Sequence, residues 1–445
     1  MAFPIVPYSA VIIDSCASDL AFAVRQASRP HCQSARKAHI SRLKKLWTSE
    51  SNPHHILPCL CVRAAFDLFL RIKTFPEGSE VIMSAVNIPD MPFIVRHHKL
   101  KIVPVDINLD TLEPKVALME KLITSKTVAI VVAHLYGRLI DMDPFAALAQ
   151  KYQLLLIEDC AEGFCGFYRT GHPQSDLTLF SFGVIKFCTS FGGGIAKVKD
   201  YDNYNKMRDL HSEYPVQSGA MYLKKLMKYS VLYSMVQVWP FPHMLQISRQ
   251  LGKDWKDTFV KFIRGFPDNL IANIRTQPST ALLAVMAWRH QSFNTSDFDL
   301  QRIKSDYFLS KLDSELTVVG TKVKVNNYWL FPIIAEDPDL FVKCLGVFGI
   351  DSYRGATQLN IVEPDDPDSD LGPNLMSGQF VTASERYPHN AKHLISHVVY
   401  LPVNKFVPFH VVDHMAQVCR LVANTLETSK DKALSRCRSL AQSKL

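Results

Sequence analysis

Val128-Ala129-Ile130-Val131-Val132 is apolar at five successive positions, and so is Leu154-Leu155-Leu156-Ile157, which stops abruptly at Glu158-Asp159. A strand with one face in water alternates apolar and polar residues. One that is apolar throughout is covered on both faces, as in parallel sheets flanked by helices. Outward from this pair, β-rich runs at Glu80–Ala85, Lys101–Asp106, Thr127–Ala133 and Leu154–Glu158 alternate with helical stretches at 114–124 and 144–152. Asp143-Pro144, a capping acid followed by proline, announces the latter. Val62, Ala65, Phe66, Phe69 and Leu70 recur at helical spacing, which predicts an amphipathic helix over 61–73. Two more strands, Leu177–Phe182 and Ile195–Val198, are joined by Gly192-Gly193-Gly194. The rhythm predicts an α/β protein built on a parallel sheet.

Composition agrees. The chain has 445 residues, 47% hydrophobic and 21% charged, with 18 Gly and 25 Pro, which excludes disordered, collagenous and low-complexity classes. A net charge of +8 suits anionic ligands but is too dilute to indicate nucleic-acid binding. Ten cysteines without a CxxC pair read as reduced thiols in an intracellular, cytoplasmic protein. No GxGxxG or Walker A sequence supports a dinucleotide or ATP. His54-His55 and His97-His98 lack a third ligand at metal spacing and read as surface histidines, so no metal is expected.

Three segments fall into place around this core. Residues 1–57 read as an N-terminal arm, basic and solvated between 20 and 49; a transit peptide is the sharper alternative. Residues 58–299 form the large domain, with a helical insertion at about 205–270. Residues 300–445 form a smaller α+β domain with a helix at Leu300–Leu312, a strand at Asn327–Ile334, a helix at Asp339–Phe348, and a loop over 363–378. Inside the insertion, 221–264 holds eight Lys or Arg, while Tyr229–Ser248 holds no charge and is broken by Trp239-Pro240-Phe241-Pro242. A buried or partner-facing helical insertion fits this best; a peripheral membrane contact through 221–264 is the other reading. The Lys99/Lys101 and Lys224/Lys225/Lys228 clusters read as solvated faces.

In open α/β sheets ligands sit beyond the carboxyl ends of the strands, so Asp159 points into a crevice. Lys186 follows the next strand in a short loop. A carboxylate and a lysine on neighbouring strand ends suit a pyridoxal phosphate site: the amine forms a Schiff base with the aldehyde, and the carboxylate keeps the pyridine nitrogen protonated. Such pairs are also common as plain salt bridges, and the wording around them is what distinguishes the two.

His134-Leu135-Tyr136-Gly137, Asp141-Met142-Asp143, Ile157-Glu158-Asp159-Cys160-Ala161-Glu162, and Phe180-Ser181-Phe182 with Lys186 and Gly192-Gly193-Gly194 stand in order. Together they resemble the DegT/DnrJ/StrS-type sugar aminotransferases, from about Pro58 to Val198. The resemblance implies a fold-type-I pyridoxal-phosphate enzyme, with a mostly parallel seven-stranded sheet in the large domain and a smaller C-terminal α+β domain. It implies an amino-acid donor, a keto-sugar acceptor commonly attached to a nucleotide, ping-pong chemistry and a homodimer. Lys186 matches the cofactor-bearing lysine, Asp159 the ring-nitrogen partner and Ser181 a phosphate-binding hydroxyl. Glu162 stands where the family has Gln, and must be protonated or turned away to donate the same hydrogen bond. The Ser-Gly-Thr phosphate cradle aligns with Cys61-Val62-Arg63, where backbone N–H groups at a helix start survive the change and Arg63 either adds a guanidinium or points to solvent. Ile88 replaces the aromatic that stacks on the cofactor ring. Arg354, in Gly349-Ile350-Asp351-Ser352-Tyr353-Arg354-Gly355, either binds a substrate carboxylate or phosphate or shapes the turn. Family members that dehydrate their sugar carry His in place of the lysine, and Lys186 argues against that reaction. A non-catalytic scaffold, motivated by the altered cradle and Ile88, is the remaining alternative.

Overall fold

The computed structural model describes residues 6–50, 52–250, 269–312, 316–355, 357–366, 376 and 379–443. Seven strands form the main sheet: β1 (His55–Cys59), β2 (Glu80–Ser84), β3 (Lys101–Val105), β4 (Thr127–Ala133), β5 (Leu155–Cys160), β6 (Leu177–Ser181) and β7 (Gly194–Val198), in the order β1-β7-β6-β5-β4-β2-β3. From β6 to β3 all neighbours are parallel, while β7 and β1 join as antiparallel strands. The sheet is therefore mostly parallel, as the unbroken apolar runs require. In β4, Ala129 and Val131 enter the core on one face while Ile130 and Val132 enter the core on the other, so all four are buried.

Helices Ala17–Ala27 (α1), Gln33–Trp47 (α2), Val62–Lys73 (α3), Asp90–His97 (α4), Val116–Lys121 (α5), Asp143–Tyr152 (α6) and Tyr201–Ser212 (α7) precede a further pair, Gly219–Gln237 (α8) and Phe241–Gln250 (α9). Leu270–Ile274 (α10) and Thr280–Gln291 (α11) follow. The apolar stripe of α3 packs on β6 and β7, with α4 and α7 beside it. Residues 17–47 are not a solvated arm. Their bases mostly face water, but Leu43 and Trp47 are buried, and α1 and α2 pack on α11. Arg36 is buried too, donating to Gln277 Oε1 at 2.8 Å. The basic composition of the segment hid this second, apolar face.

A smaller antiparallel sheet, Thr317–Val318 (β8), Phe331–Ile334 (β9) and Val398–Leu401 (β10), carries a separate core under helices Ser296–Lys311, Pro338–Val347 and Phe409–Ser429. The strand expected over 327–334 begins only at Phe331. Asn327–Leu330 instead turns back towards the large domain, with Tyr328 at a left-handed φ of 47°. The Asn327 N–H donates to Gly137 O at 2.8 Å, and its amide Nδ2 donates to Phe164 O at 2.8 Å. Of the expected 363–378 loop, residues 367–375, 377 and 378 lie outside the described residues, as do residues 251–264 of the insertion stretch.

Candidate active site

A cavity of about 270 Å³ opens at the carboxyl edge of the parallel strands, between the main sheet and the smaller sheet. Asp159 lines it from the end of β5 and Ser181 from the end of β6. Lys186 lines it from the loop that follows β6, and Glu162, Val62, Arg63 and Ile88 line it as well. Seven of the eight residues singled out in the sequence are thus brought together. Arg354 is not. Its guanidinium turns outward to Asp339 at 2.9 Å and to Ser396 O at 2.6 Å, while Tyr353 and Gly355 on either side face the cavity. The turn places alternate residues on opposite sides, which composition alone does not reveal.

The loop carrying Lys186 is held tightly. The Lys186 N–H donates to Gly183 O at 3.0 Å, the Thr189 hydroxyl donates to the same oxygen at 2.7 Å, and the Ser190 N–H donates to Phe182 O at 3.1 Å. The N-terminal segment adds a brace, since Asp14 accepts from the Cys188 N–H and from Lys405 Nζ, both at 2.6 Å. Lys186 Nζ donates to Glu162 Oε1 at 3.2 Å and lies 3.5 Å from the centroid of the Trp329 ring. Burial lowers the pKa of Lys186 against the opposing pull of Glu162 and Asp159. Glu162 Oε2 accepts from the Tyr136 N–H at 2.9 Å, and burial pushes its carboxyl pKa up.

Asp159 is buried, and burial raises its pKa although the Ala161 N–H donates to Oδ1 at 3.0 Å. A carboxylate placed this deep on a cavity wall is costly without a cation to face it. A protonated pyridine nitrogen is such a cation, so the site fits the cofactor at this end. It also fits at the start of α3, where no side chain caps the helix and the helix dipole favours an anion. Behind Asp159, His134 and Glu158 form a fixed buttress. His134 Nε2 meets Glu158 Oε1 at 3.0 Å, and Nδ1 accepts from the Ile140 N–H at 3.1 Å. Cys160 lies close to both, but the imidazole has no lone pair left for a metal. Nor are His54 and His98 the surface histidines expected. His54 is buried against Pro173 O, and His98 holds the buried Asp67 at 2.9 Å.

Sequence reasoning missed Trp329 and, on α8, Lys225 and Tyr229, all of which line the cavity. Lys225 was grouped with a solvated cluster. Its spacing of four from Tyr229, one helical turn, is the signal that both share a face.

The seven-stranded, mostly parallel sheet with its smaller antiparallel partner is the fold-type-I architecture. Residues 55–230 match the DegT/DnrJ/EryC1/StrS aminotransferase family. GDP-perosamine synthase of Caulobacter vibrioides is 32% identical over 39% of this chain and 47% of its own length. UDP-4-amino-4-deoxy-L-arabinose--oxoglutarate aminotransferase of Shewanella sediminis is 31% identical over 35% of this chain and 40% of its own. The chain thus matches about half the length of these curated relatives. The fold extends further: DesI, solved in the presence of its TDP-sugar product, superposes with a TM-score of 0.64 at 18% identity over 98% of this chain and 96% of its own. The pyridoxal-phosphate form of the sugar aminotransferase Spr1654 from Streptococcus pneumoniae gives 0.62 at 18% identity over 95% and 99%.

Proposed function

We propose that the protein is a pyridoxal-phosphate-dependent aminotransferase that moves an amino group from an amino-acid donor to a nucleotide-linked keto-sugar. The observation that carries this is the opening of Lys186 and Asp159 onto one cavity, with Glu162 paired to the lysine. The family match and the named activities of the relatives support the substrate class. Lys186 would hold the cofactor aldehyde, Asp159 the ring nitrogen and Glu162 the phenolic oxygen. Ser181, the Val62 N–H and Arg63 would hold the phosphate, and Ile88 would cover the ring face. Bound pyridoxal phosphate supplies the electron sink that lets an amino acid lose its α-proton.

The chain's own residues do the rest. Burial disfavours the Lys186 ammonium, so Nζ can take a proton from substrate carbon and return it. Asp159 would hold the ring nitrogen protonated and would itself stay ionised opposite that charge, against the burial that raises its pKa. Glu162, its pKa raised by burial, can present a proton towards the phenolic oxygen once Lys186 turns away. The test is spectroscopic. Purified protein should absorb near the visible edge, Lys186→Ala should lose that band, and the aminated cofactor form should convert keto-sugar nucleotides. Protein that neither holds nor takes up the cofactor would make the chain a scaffold.

The family resemblance supports a homodimer, and ten free cysteines suit a reducing compartment such as the cytoplasm. A peripheral membrane contact is supported by the outer face of α8 and α9. Met227, Val231, Phe241 and Met244 are exposed there, Trp239 is 77% exposed between the helices, and Lys224 lies alongside. No acidic residue interrupts the sequence from 214 to 253, and no helix of the described residues is long and apolar enough to cross a membrane. Flotation with anionic liposomes, lost in a Trp239→Ser, Phe241→Ser variant, would support the contact; equal flotation would remove it.

A further inference from the structure

Helix α8 does more than fill space beside the sheet. Tyr222 anchors it from below, buried and donating through its hydroxyl to Ser190 O at 2.7 Å, in the same loop that carries Lys186. Leu226, four residues on, is buried as well. With these two fixed, Lys225 and Tyr229 share the adjoining face and reach the cavity beside Cys61, Val62 and Arg63. Lys225 is only partly exposed there; burial lowers its pKa, and the Arg63 guanidinium pushes the same way. The Tyr229 hydroxyl feels Arg63 too. Arg63 is already paired with Asp90, so Arg63, Asp90 and Lys225 together carry a net charge of +1 at the cavity wall.

Lys225 and Arg63 reach the same cavity from separate elements, and the guanidinium disfavours the Lys225 ammonium, an effect that burial strengthens. An anion between them offsets it. Their neighbour is the uncapped start of α3, whose N–H groups favour the same sign of ligand. Lys224, next in sequence, is exposed, so the convergence belongs to Lys225 and not to a general basic surface.

We propose that the inserted helix α8 supplies Lys225 as a phosphate-binding residue, which together with Arg63 grips the dianionic phosphate monoester of the cofactor. This rests on the cofactor reading above. It makes the insertion part of the active site of its own chain, and makes phosphate capture depend on charge from two elements.

Equilibrium titration of the apoprotein by absorbance and fluorescence tests this, with pyridoxal phosphate and unphosphorylated pyridoxal run in parallel. Lys225→Gln should weaken pyridoxal phosphate about 10-fold or more, the usual size of a lost charge-assisted contact. It should leave pyridoxal unchanged and flatten the salt dependence of phosphate-form binding, with Lys225→Arg restoring affinity and Lys224→Gln having no effect. Unchanged affinity in Lys225→Gln, or an equal loss with both ligands, would overturn the assignment while the cofactor reading stands. Wild-type protein that binds neither ligand would overturn both.

Discussion

Lys186 Nζ lies 3.5 Å from the centroid of the Trp329 ring, and the indole N–H donates at 2.7 Å to the carbonyl of Ile185, the residue before the lysine. The tryptophan therefore fixes the lysine twice, through its backbone neighbour and through its charge. A cation over an aromatic face is stabilised by about 0.5–2 kcal/mol, which favours the ammonium over the amine.

Removing the ring should lower the pKa of Lys186. In Trp329→Leu the pH midpoint for capture of pyridoxal phosphate, which needs the neutral amine, should fall by about half a unit or more. Trp329→Phe should sit between the two. Stopped-flow absorbance across pH 6 to 10 measures it, and an unmoved midpoint would remove the electrostatic role.

Gly137 explains how a residue of the smaller domain reaches this lysine. Its φ is +84°, and a Cβ placed there would stand 1.7 Å from Asn327 Oδ1 and 2.6 Å from the Trp329 backbone nitrogen. Gly137→Ala should push the 327–329 turn away from the cavity, costing about 2–4 kcal/mol in stability and weakening cofactor binding. Gly78 is the control, with a φ of +81° and nothing within 4 Å of the added methyl. Gly78→Ala should cost only the left-handed backbone, about 1 kcal/mol, with cofactor binding intact. Denaturant unfolding and cofactor titration on both variants separate the collision from the backbone strain.

The contrast between Gly137 and Arg354 shows what was legible beforehand. Strand ends and the Asp159–Lys186 pair follow from period and order, because a parallel sheet sends consecutive strand ends to one edge, whereas the cradle expected at 61–63 comes from the family resemblance. Trp329 could not be found this way. It belongs to an apolar run that reads as strand, and only the Gly137 close approach turns it inward. Arg354 is expected in the site because its segment aligns with the family's site-facing turn, yet Asp339 and a carbonyl satisfy it outside the cavity. Lys225 failed for the opposite reason: three lysines in five residues look like a wet face until Tyr222 and Leu226 fix which side is buried.

Glu162→Gln tests the unusual acid. Glutamine can still accept from the Tyr136 N–H, and its amide donates to the phenolic oxygen without needing a proton from solution. Because burial raises the carboxyl pKa, the wild-type cofactor spectrum should change with pH as Glu162 titrates. The variant should keep cofactor affinity within about threefold while losing that spectral transition. A wild-type spectrum already flat with pH would show the acid to be turned away from the ligand.

The aromatic cluster that seats α2 against the sheet makes stability depend on pH. Trp47 Nε1–H donates to His290 Nδ1 at 3.1 Å, so the ring must be neutral with its proton on Nε2. Burial, with Arg289 beside it, lowers the His290 pKa to about 3, far below the unfolded value of about 6.5. Above that value both states are neutral and the contribution is complete. Below it the unfolded chain binds a proton that the folded one refuses, so stability falls by about 1.4 kcal/mol per pH unit until the folded pKa is reached. His54 and His211, both lowered to about 4 mainly by burial, add the same slope over a narrower window. His290→Gln keeps an acceptor for Trp47 and cannot titrate. It should be less stable than wild type at pH 7.5, and the gap should narrow by about 2 kcal/mol at pH 5.0, measured by urea unfolding. A gap that stays constant between the two pH values would mean that His290 is protonated in the folded protein.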